Sequence, residues 1–248
     1  MLVMYKMDLS LKEFLQQNHN KLTWKQKINI TFEIVRALYF IHFENAVHRD
    51  LHSENILYSQ LGSHWVISDL GFCGPADKSS KSVYGNLPYI APEVINGREY
   101  TFKSDIYSIA MLMWEISSEQ PPFINHEHDY NLAMNIINGI RPKIVLGTPT
   151  EYKNLMKECW DADPSKRPDI YTLMKKISEM NLYYQSMTDE LEIHNNLELD
   201  ETNSSTNSRL FTSKIHQFEN LPEPRNATEE ELEETTVKNY PNCLKSYK

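Results

Sequence analysis

The longest amphipathic pattern in the chain lies between residues 24 and 43. Its apolar face consists of Trp24, Ile28, Val35, Leu38 and Ile41, with Phe32 beside it. This spacing of three and four residues is typical of a helix that buries one side. Thr23 and Gln26 form a capping box ahead of the pattern, so we predict a long helix that begins directly after Thr23.

A second helical pattern, at residues 106–116, is apolar on almost every side. A helix without a polar face belongs in a protein interior, and Ser104 is a candidate for its N-cap. Shorter patterns predict further helices at residues 11–15, 132–137, 152–160 and 170–180, separated by proline-containing breaks.

Two short β-rich runs, residues 56–58 and 65–67, flank Gly62. Their spacing predicts a small hairpin within an otherwise helical domain. The fold class expected from the whole pattern is α+β, mainly α, over residues 1–180.

The 248 residues carry a formal charge of −9, and it is unevenly placed. From residue 181 to the end there are 13 acidic and 6 basic residues, whereas residues 1–180 are nearly neutral. Neither part has the basic surface that nucleic-acid binding requires. Because residues 181–248 are polar and poor in aromatic groups, we expect a disordered acidic tail. Its glutamate run at 229–234 is either a solvating segment or an acidic docking motif.

The three cysteines, Cys73, Cys159 and Cys243, are scattered and odd in number. This pattern favours reduced thiols in a cytoplasmic or nuclear compartment. No apolar run approaches the ~20 residues of a membrane span. The apolar start at residues 1–4 is also too short for a signal-peptide core.

Residues 48–55, His-Arg-Asp-Leu-His-Ser-Glu-Asn, contain the candidate chemistry. They place the carboxylate of Asp50 five residues ahead of the amide of Asn55. A phosphoryl-transfer site needs a base and a magnesium ligand in this arrangement.

The chain resembles the large lobe of a eukaryotic protein kinase, most closely the tyrosine-kinase-like branch. The motifs that carry the resemblance follow in order: residues 48–55, Asp69-Leu-Gly, Ala91-Pro-Glu, Ser104-Asp105, and Cys159-Trp160 with Arg167-Pro168. It covers about residues 1–180 and implies ATP-dependent, Mg²⁺-assisted phosphoryl transfer to protein substrates. Serine or threonine is the favoured acceptor and tyrosine the alternative.

The resemblance also implies roles at the reacting centre. Asp50 would accept or orient the proton of the substrate hydroxyl, and Asn55 and Asp69 would bind magnesium. Leu57 would lie under the adenine. The alternatives are a loop carboxylate satisfying backbone N–H groups for Asp50 and a turn-forming residue for Asp69.

Other matching positions are structural or regulatory. His48 is expected to pack beneath Leu70 rather than act as an acid or base. Arg49 would reach a phosphate or carboxylate of the activation segment, residues 69–93, in which Ser82 is the candidate phosphosite.

Three further matches concern the frame of the lobe. Glu93 and Arg167 would form a buried ion pair, and Asp105 would hold the catalytic-loop backbone from below. Removing one member of a buried pair leaves an uncompensated charge.

The chain departs from the family pattern at its start. Gly62 is the first glycine, so residues 1–61 contain no Gly-rich phosphate loop. Residues 1–7 resemble the hinge that follows a small lobe. We therefore expect a truncated kinase domain that is inactive alone. The alternative is a catalytically inert, pseudokinase-like scaffold that binds a regulatory protein partner. His52 also differs, since serine/threonine kinases usually carry lysine there.

Overall fold

The computed structural model describes residues 7–59, 62–75, 83–187, 213–218, 221–228 and 230–231. Helices dominate the lobe, and short strands lie at one edge. The predicted α+β, mainly α class is therefore confirmed for the lobe.

The helices are distributed along the sequence of the lobe from residue 11 to residue 186. Their bounds are α1 Leu11–Gln17, α2 Trp24–Phe43, α3 Pro92–Ile95, α4 Phe102–Ser118, α5 Tyr130–Ile137, α6 Thr150–Cys159 and α7 Ile170–Ser186. Each predicted helix has a counterpart among them.

The strands form three small antiparallel groups. Their bounds are β1 Leu9–Ser10, β2 Ala46–Val47, β3 Ile56–Ser59, β4 His64–Ile67, β5 Gly74–Pro75, β6 Val83–Gly85 and β7 Lys214–His216. The order in the first group is β1-β3-β4, and β2 pairs with β5 and β6 with β7. The β3–β4 pair, with Leu57 opposite Val66, is the predicted hairpin.

Local capping explains where the longer helices begin. The Thr23 hydroxyl accepts a hydrogen bond from Gln26 N, and the Gln26 side chain accepts from Thr23 N, as predicted. The predicted cap of α4 was wrong. Thr101 is the N-cap, and Ser104 is the N3 residue that closes the box from inside the helix. A hydroxyl at either position can bond a free N–H group, so the sequence alone does not separate them.

The core is built around α4, whose residues from Ser104 to Ser117 are all buried. α2 packs against both α4 and α7, and α6 packs on α4. One polar contact ties three of these helices together: the Tyr152 hydroxyl donates to Met113 O and lies 2.9 Å from Thr31 Oγ1. Satisfying this hydroxyl removes the cost of burying it.

The C-terminal region differs from the expected disordered tail wherever the structure describes it. Residues 181–186 are the last residues of α7, so the domain boundary expected at 180 falls inside a helix. Residues 213–218 and 221–228 pack against the lobe, with Phe218 and Leu221 against its core. These few apolar side chains pack on the surface of the folded lobe. Amino-acid composition alone does not predict such packing. Residues 188–212 and 232–248 lie outside the described part.

Among the described residues, none of the helices has the length and apolar character needed to cross a membrane.

Candidate active site

The candidate catalytic residues meet where the loop after β2 enters the β3–β4 hairpin. Asn55 Nδ2 donates to Asp50 O at 2.8 Å and lies 3.5 Å from Asp50 Oδ2. At the same open end of the hairpin, Ser68, which follows β4, donates its N–H to Asn55 O at 2.8 Å. Asp69 follows Ser68 directly, in a left-handed conformation with φ 56°. The fold thus brings Asp50, Asn55 and Asp69 to one edge of the lobe.

Asp105 lies beneath the loop that carries Asp50. Its Oδ2 accepts from His48 N at 2.8 Å and is 2.9 Å from His42 Nε2, and its Oδ1 accepts from Arg49 N at 3.0 Å. Asp105 is 1% exposed. A buried carboxylate that accepts several hydrogen bonds fixes the groups that donate to it. It holds the loop in place from α4.

His48 is fully buried, and its Nε2 lies 2.9 Å from Ser68 O. The ring therefore joins the loop to the strand that precedes Asp69. Leu70, which was expected to pack over this ring, is 55% exposed. An apolar residue type at this position indicates packing only if the backbone turns it inward, which a sequence motif does not specify.

Arg49 extends towards the start of the activation segment. It donates to Phe72 O at 3.4 Å and to Pro75 O at 2.9 Å, both backbone carbonyls. Its backbone is left-handed, with φ 76°, which is costly for a residue with a side chain. Ser82, the candidate phosphosite, lies outside the described residues.

Glu93 and Arg167 form a two-bonded ion pair inside the lobe. Arg167 donates to Glu93 Oε1 and Oε2, each at 2.7 Å, and both side chains are buried. Arg167 also donates to the carbonyls of Asp161 and Lys103 at 2.8 Å. The pair joins α3 to the segment before α7.

Leu57 lies in the middle of the hairpin, half-buried on β3. It pairs with Ser10 of β1 on one side and with Val66 of β4 on the other. Leu57 is therefore part of the small sheet that adjoins Asn55 and Asp69.

Two neighbours of Asp50 were not predicted as part of the site. His52 Nε2 lies 3.7 Å from Asp50 Oδ1, and Ser213 Oγ donates to the same oxygen at 2.8 Å. His52 has extended backbone, so its i, i+2 relation to Asp50 was a usable signal. Ser213 lies 163 positions away in the sequence, and no local pattern indicates it.

A buried acid, Glu115, lies behind the loop in α4. The Tyr89 hydroxyl donates to Glu115 Oε2 at 2.7 Å. Burial raises the pKa of Glu115 to about 7, although Tyr89, Ser53, His52 and Lys12 oppose the shift. The pKa of the buried Tyr89 hydroxyl is also raised, chiefly by burial and then by Glu115. Of the two groups, only Glu115 titrates near neutral pH, and the Tyr89 hydroxyl stays protonated there.

The residues at the open end of the hairpin fit Mg²⁺ better than a metal ion whose ligands all come from protein side chains. Among the described residues, no group of three or more His, Cys, Asp and Glu side chains could hold a metal ion. Asn55 uses its amide nitrogen on Asp50 O, so its amide oxygen is the atom that could serve as a metal ligand. Asp69 is exposed and adds a carboxylate. One carboxylate and one neutral oxygen fit Mg²⁺, which takes its other ligands from phosphate and water.

Comparison with known proteins finds a matching family and individual relatives. A sequence model of the family described as protein tyrosine and serine/threonine kinase matches residues 1–177. The probable serine/threonine-protein kinase roco8 of Dictyostelium discoideum is 34% identical over 196 residues, which are 72% of this chain and 10% of that protein. The dual specificity protein kinase zakA of the same organism is 30% identical over 192 residues, 71% of this chain and 25% of that protein.

A plant relative is similar to about the same extent. The serine/threonine-protein kinase VIK of Arabidopsis thaliana is 32% identical over 170 residues, which are 64% of this chain and 39% of that protein. This chain thus spans well under half the length of these three relatives. The match of the family model over more than two thirds of the chain shows that the protein belongs to the protein kinase family.

Proposed function

We propose that this lobe transfers the γ-phosphoryl group of Mg·ATP to a hydroxyl of a protein substrate. The family as a whole uses ATP and Mg²⁺. The observation that carries the proposal is the end of the hairpin, where Asn55 Nδ2 is 2.8 Å from Asp50 O and Ser68 N bonds Asn55 O just ahead of Asp69. A base, an amide ligand and a carboxylate ligand therefore share one edge.

Each residue has a separate task in this proposal. Asp50 accepts or orients the proton of the attacking hydroxyl, which is general-base assistance worth about 10²–10⁴ in rate. Asn55 and Asp69 hold Mg²⁺, which neutralises the phosphate oxygens. Leu57 contacts the adenine from the hairpin. Asp105 and His48 position Asp50 through the backbone contacts described above.

Serine or threonine is the acceptor that we propose, with tyrosine as the alternative. Two of the three relatives above are named serine/threonine kinases, and zakA is named a dual specificity kinase. His52, close to Asp50, is the residue of this chain that would meet the transferred phosphate. The near-neutral lobe supports protein substrates rather than nucleic acid.

The test compares the 248-residue polypeptide with a fusion that carries a kinase small lobe ahead of Met1. No glycine precedes Gly62, so no Gly-rich loop within this polypeptide can hold the α- and β-phosphates. We expect weak Mg·ATP binding and no measurable transfer from the polypeptide, and transfer to serine peptides from the fusion.

Asp50→Asn in the fusion should lower transfer at least about 100-fold. Asp163→Asn is the matched control, because Asp163 is an exposed turn carboxylate far from the hairpin in sequence. A fusion that binds Mg·ATP but transfers nothing, or that transfers equally well without the Asp50 carboxylate, contradicts the proposed function.

A further inference from the structure

A serine from the C-terminal region forms a hydrogen bond with Asp50, the candidate base. Ser213 Oγ donates to Asp50 Oδ1 at 2.8 Å and is 3.1 Å from His52 Nε2. Asp50 is 4% exposed and His52 4% exposed, so the hydroxyl enters a closed polar site. A general base must lie within hydrogen-bond distance of the substrate hydroxyl whose proton it accepts, and the Ser213 hydroxyl meets this condition.

The backbone after Ser213 is held by the activation segment. β7 pairs antiparallel with β6, with Lys214 opposite Gly85 and His216 opposite Val83. Gly85 has φ 140°, and a Cβ there would lie 3.3 Å from Asp50 Oδ1. The absence of a side chain at Gly85 therefore lets the strand pair form close to Asp50, with Ser213 at its end.

Side chains of residues 214–218 hold the segment in this register. His216 is 7% exposed, with its Nε2 3.1 Å from Gly85 O and its ring stacked on Phe218. Phe218 also contacts the ring of Tyr130 on α5. Ile215, in contrast, is 63% exposed. Within β7, His216 is thus buried against the lobe, whereas Lys214 and Ile215 are exposed.

A second attachment follows in residues 221–228. Arg225 N donates to Ile137 O at 3.0 Å, and Asn226 Oδ1 accepts from Ala162 N at 2.9 Å. A Cβ on Gly139 would lie 2.1 Å from Ala227 N, so the two backbones meet closely. This anchor keeps the serine-bearing strand at a high local concentration next to the site.

We propose that Ser213 is a phosphorylation site of this chain, and that residues 213–218 occupy the acceptor position of their own lobe as a tethered substrate. The proposal rests on the proposed function. The bond between Ser213 Oγ and the γ-phosphorus of ATP forms as the bond to the β,γ-bridging oxygen breaks. The hydroxyl proton passes to Asp50, and ADP leaves with the bonding electron pair.

Transfer also changes the docking of the segment. A phosphoserine carries a charge of about −1.5 to −2 at neutral pH. It would lie against the buried Asp50 carboxylate, which disfavours the docked state through like-charge repulsion and desolvation. Before transfer the segment excludes other acceptors from Asp50, and after transfer it is released.

Docking is tested first without nucleotide, by hydrogen exchange on the intact 248-residue chain. Ser213→Asp should make the amides of β6 exchange on the order of tenfold faster, and His216→Ala should do the same. Ser213→Ala should leave them protected, because the strand pairing remains. Ile215→Ala is the control for His216→Ala. Unchanged exchange in α4 shows that the lobe is folded in each variant. Equal exchange of β6 in all variants overturns the docked state.

Transfer is tested in the small-lobe fusion with Mg·ATP and a separate serine peptide, by mass spectrometry at both acceptors. We expect first-order, concentration-independent phosphorylation of Ser213 that Asp50→Asn abolishes. The KM for the peptide should separate Ser213→Ala from His216→Ala. Only His216→Ala should lower it, because only that variant exposes the site. Peptide phosphorylation without any at Ser213 overturns this inference alone. Mg·ATP binding without transfer to either acceptor overturns the proposed function and the inference with it.

Discussion

Replacing Glu115 with glutamine should stabilise the protein in a pH-dependent way. Glu115 is 1% exposed, and burial raises its pKa to about 7 from its usual value of 4.5. The native state therefore holds the proton more tightly than the unfolded chain. Protein stability then falls as the pH rises from about 4.5 to about 7, and it remains lower above that range.

The size of the effect follows from the shift of the pKa. Each unit is worth about 1.4 kcal/mol, so the ionised Glu115 costs at most about 3 kcal/mol of stability above pH 7. Glutamine has nearly the same shape and no charge, and its amide oxygen can accept from the Tyr89 hydroxyl as Glu115 Oε2 does. The buried hydrogen bond is thus kept while the cost of the charge is removed.

The assay is urea unfolding of wild type and Glu115→Gln at pH 5 and pH 8. The shared titration of all other groups cancels in the difference between the two proteins. We expect the variant to gain about 2–3 kcal/mol more at pH 8 than at pH 5. Glu179→Gln, at an exposed position of α7, should show no such change. A stability difference that does not vary with pH refutes the argument.

The other predictions concern the frame of the lobe. Glu93→Ala should lower the free energy of unfolding in urea by about 3–5 kcal/mol, because Arg167 is left buried and unpaired. The double variant with Arg167→Met should lose less stability than Glu93→Ala alone. Asp105→Asn should lower transfer in the fusion at least about tenfold while Mg·ATP affinity stays within twofold, since two backbone donors lose their carboxylate. Gly139→Ala should expose residues 221–228 to protease, and unchanged cleavage would contradict the close backbone contact.

Much of the site could be predicted because kinase motifs keep chemistry in short segments. Asp50 and Asn55 are five positions apart, and the hairpin that joins Asn55 to Asp69 follows from two β-rich runs around Gly62. The helices followed from periodicity and capping pairs such as Thr23 with Gln26, which act within one turn. Where two hydroxyls could cap one helix, at Thr101 and Ser104, local pattern did not choose between them.

Contacts over long sequence distances decided the remainder. The outward position of Leu70 depends on how the backbone turns after Asp69, and the titration of Glu115 depends on which residues enclose it. The composition of residues 181–248 predicts disorder, since few apolar side chains are present. His216, Phe218 and Leu221 nonetheless find cover on a surface that exists only after the lobe has folded. By itself the sequence determined the family and the elements and predicted the candidate reacting residues, because those depend on near neighbours in the chain. Only the tertiary structure decided that Ser213 meets Asp50, because that contact depends on the shape of the folded lobe.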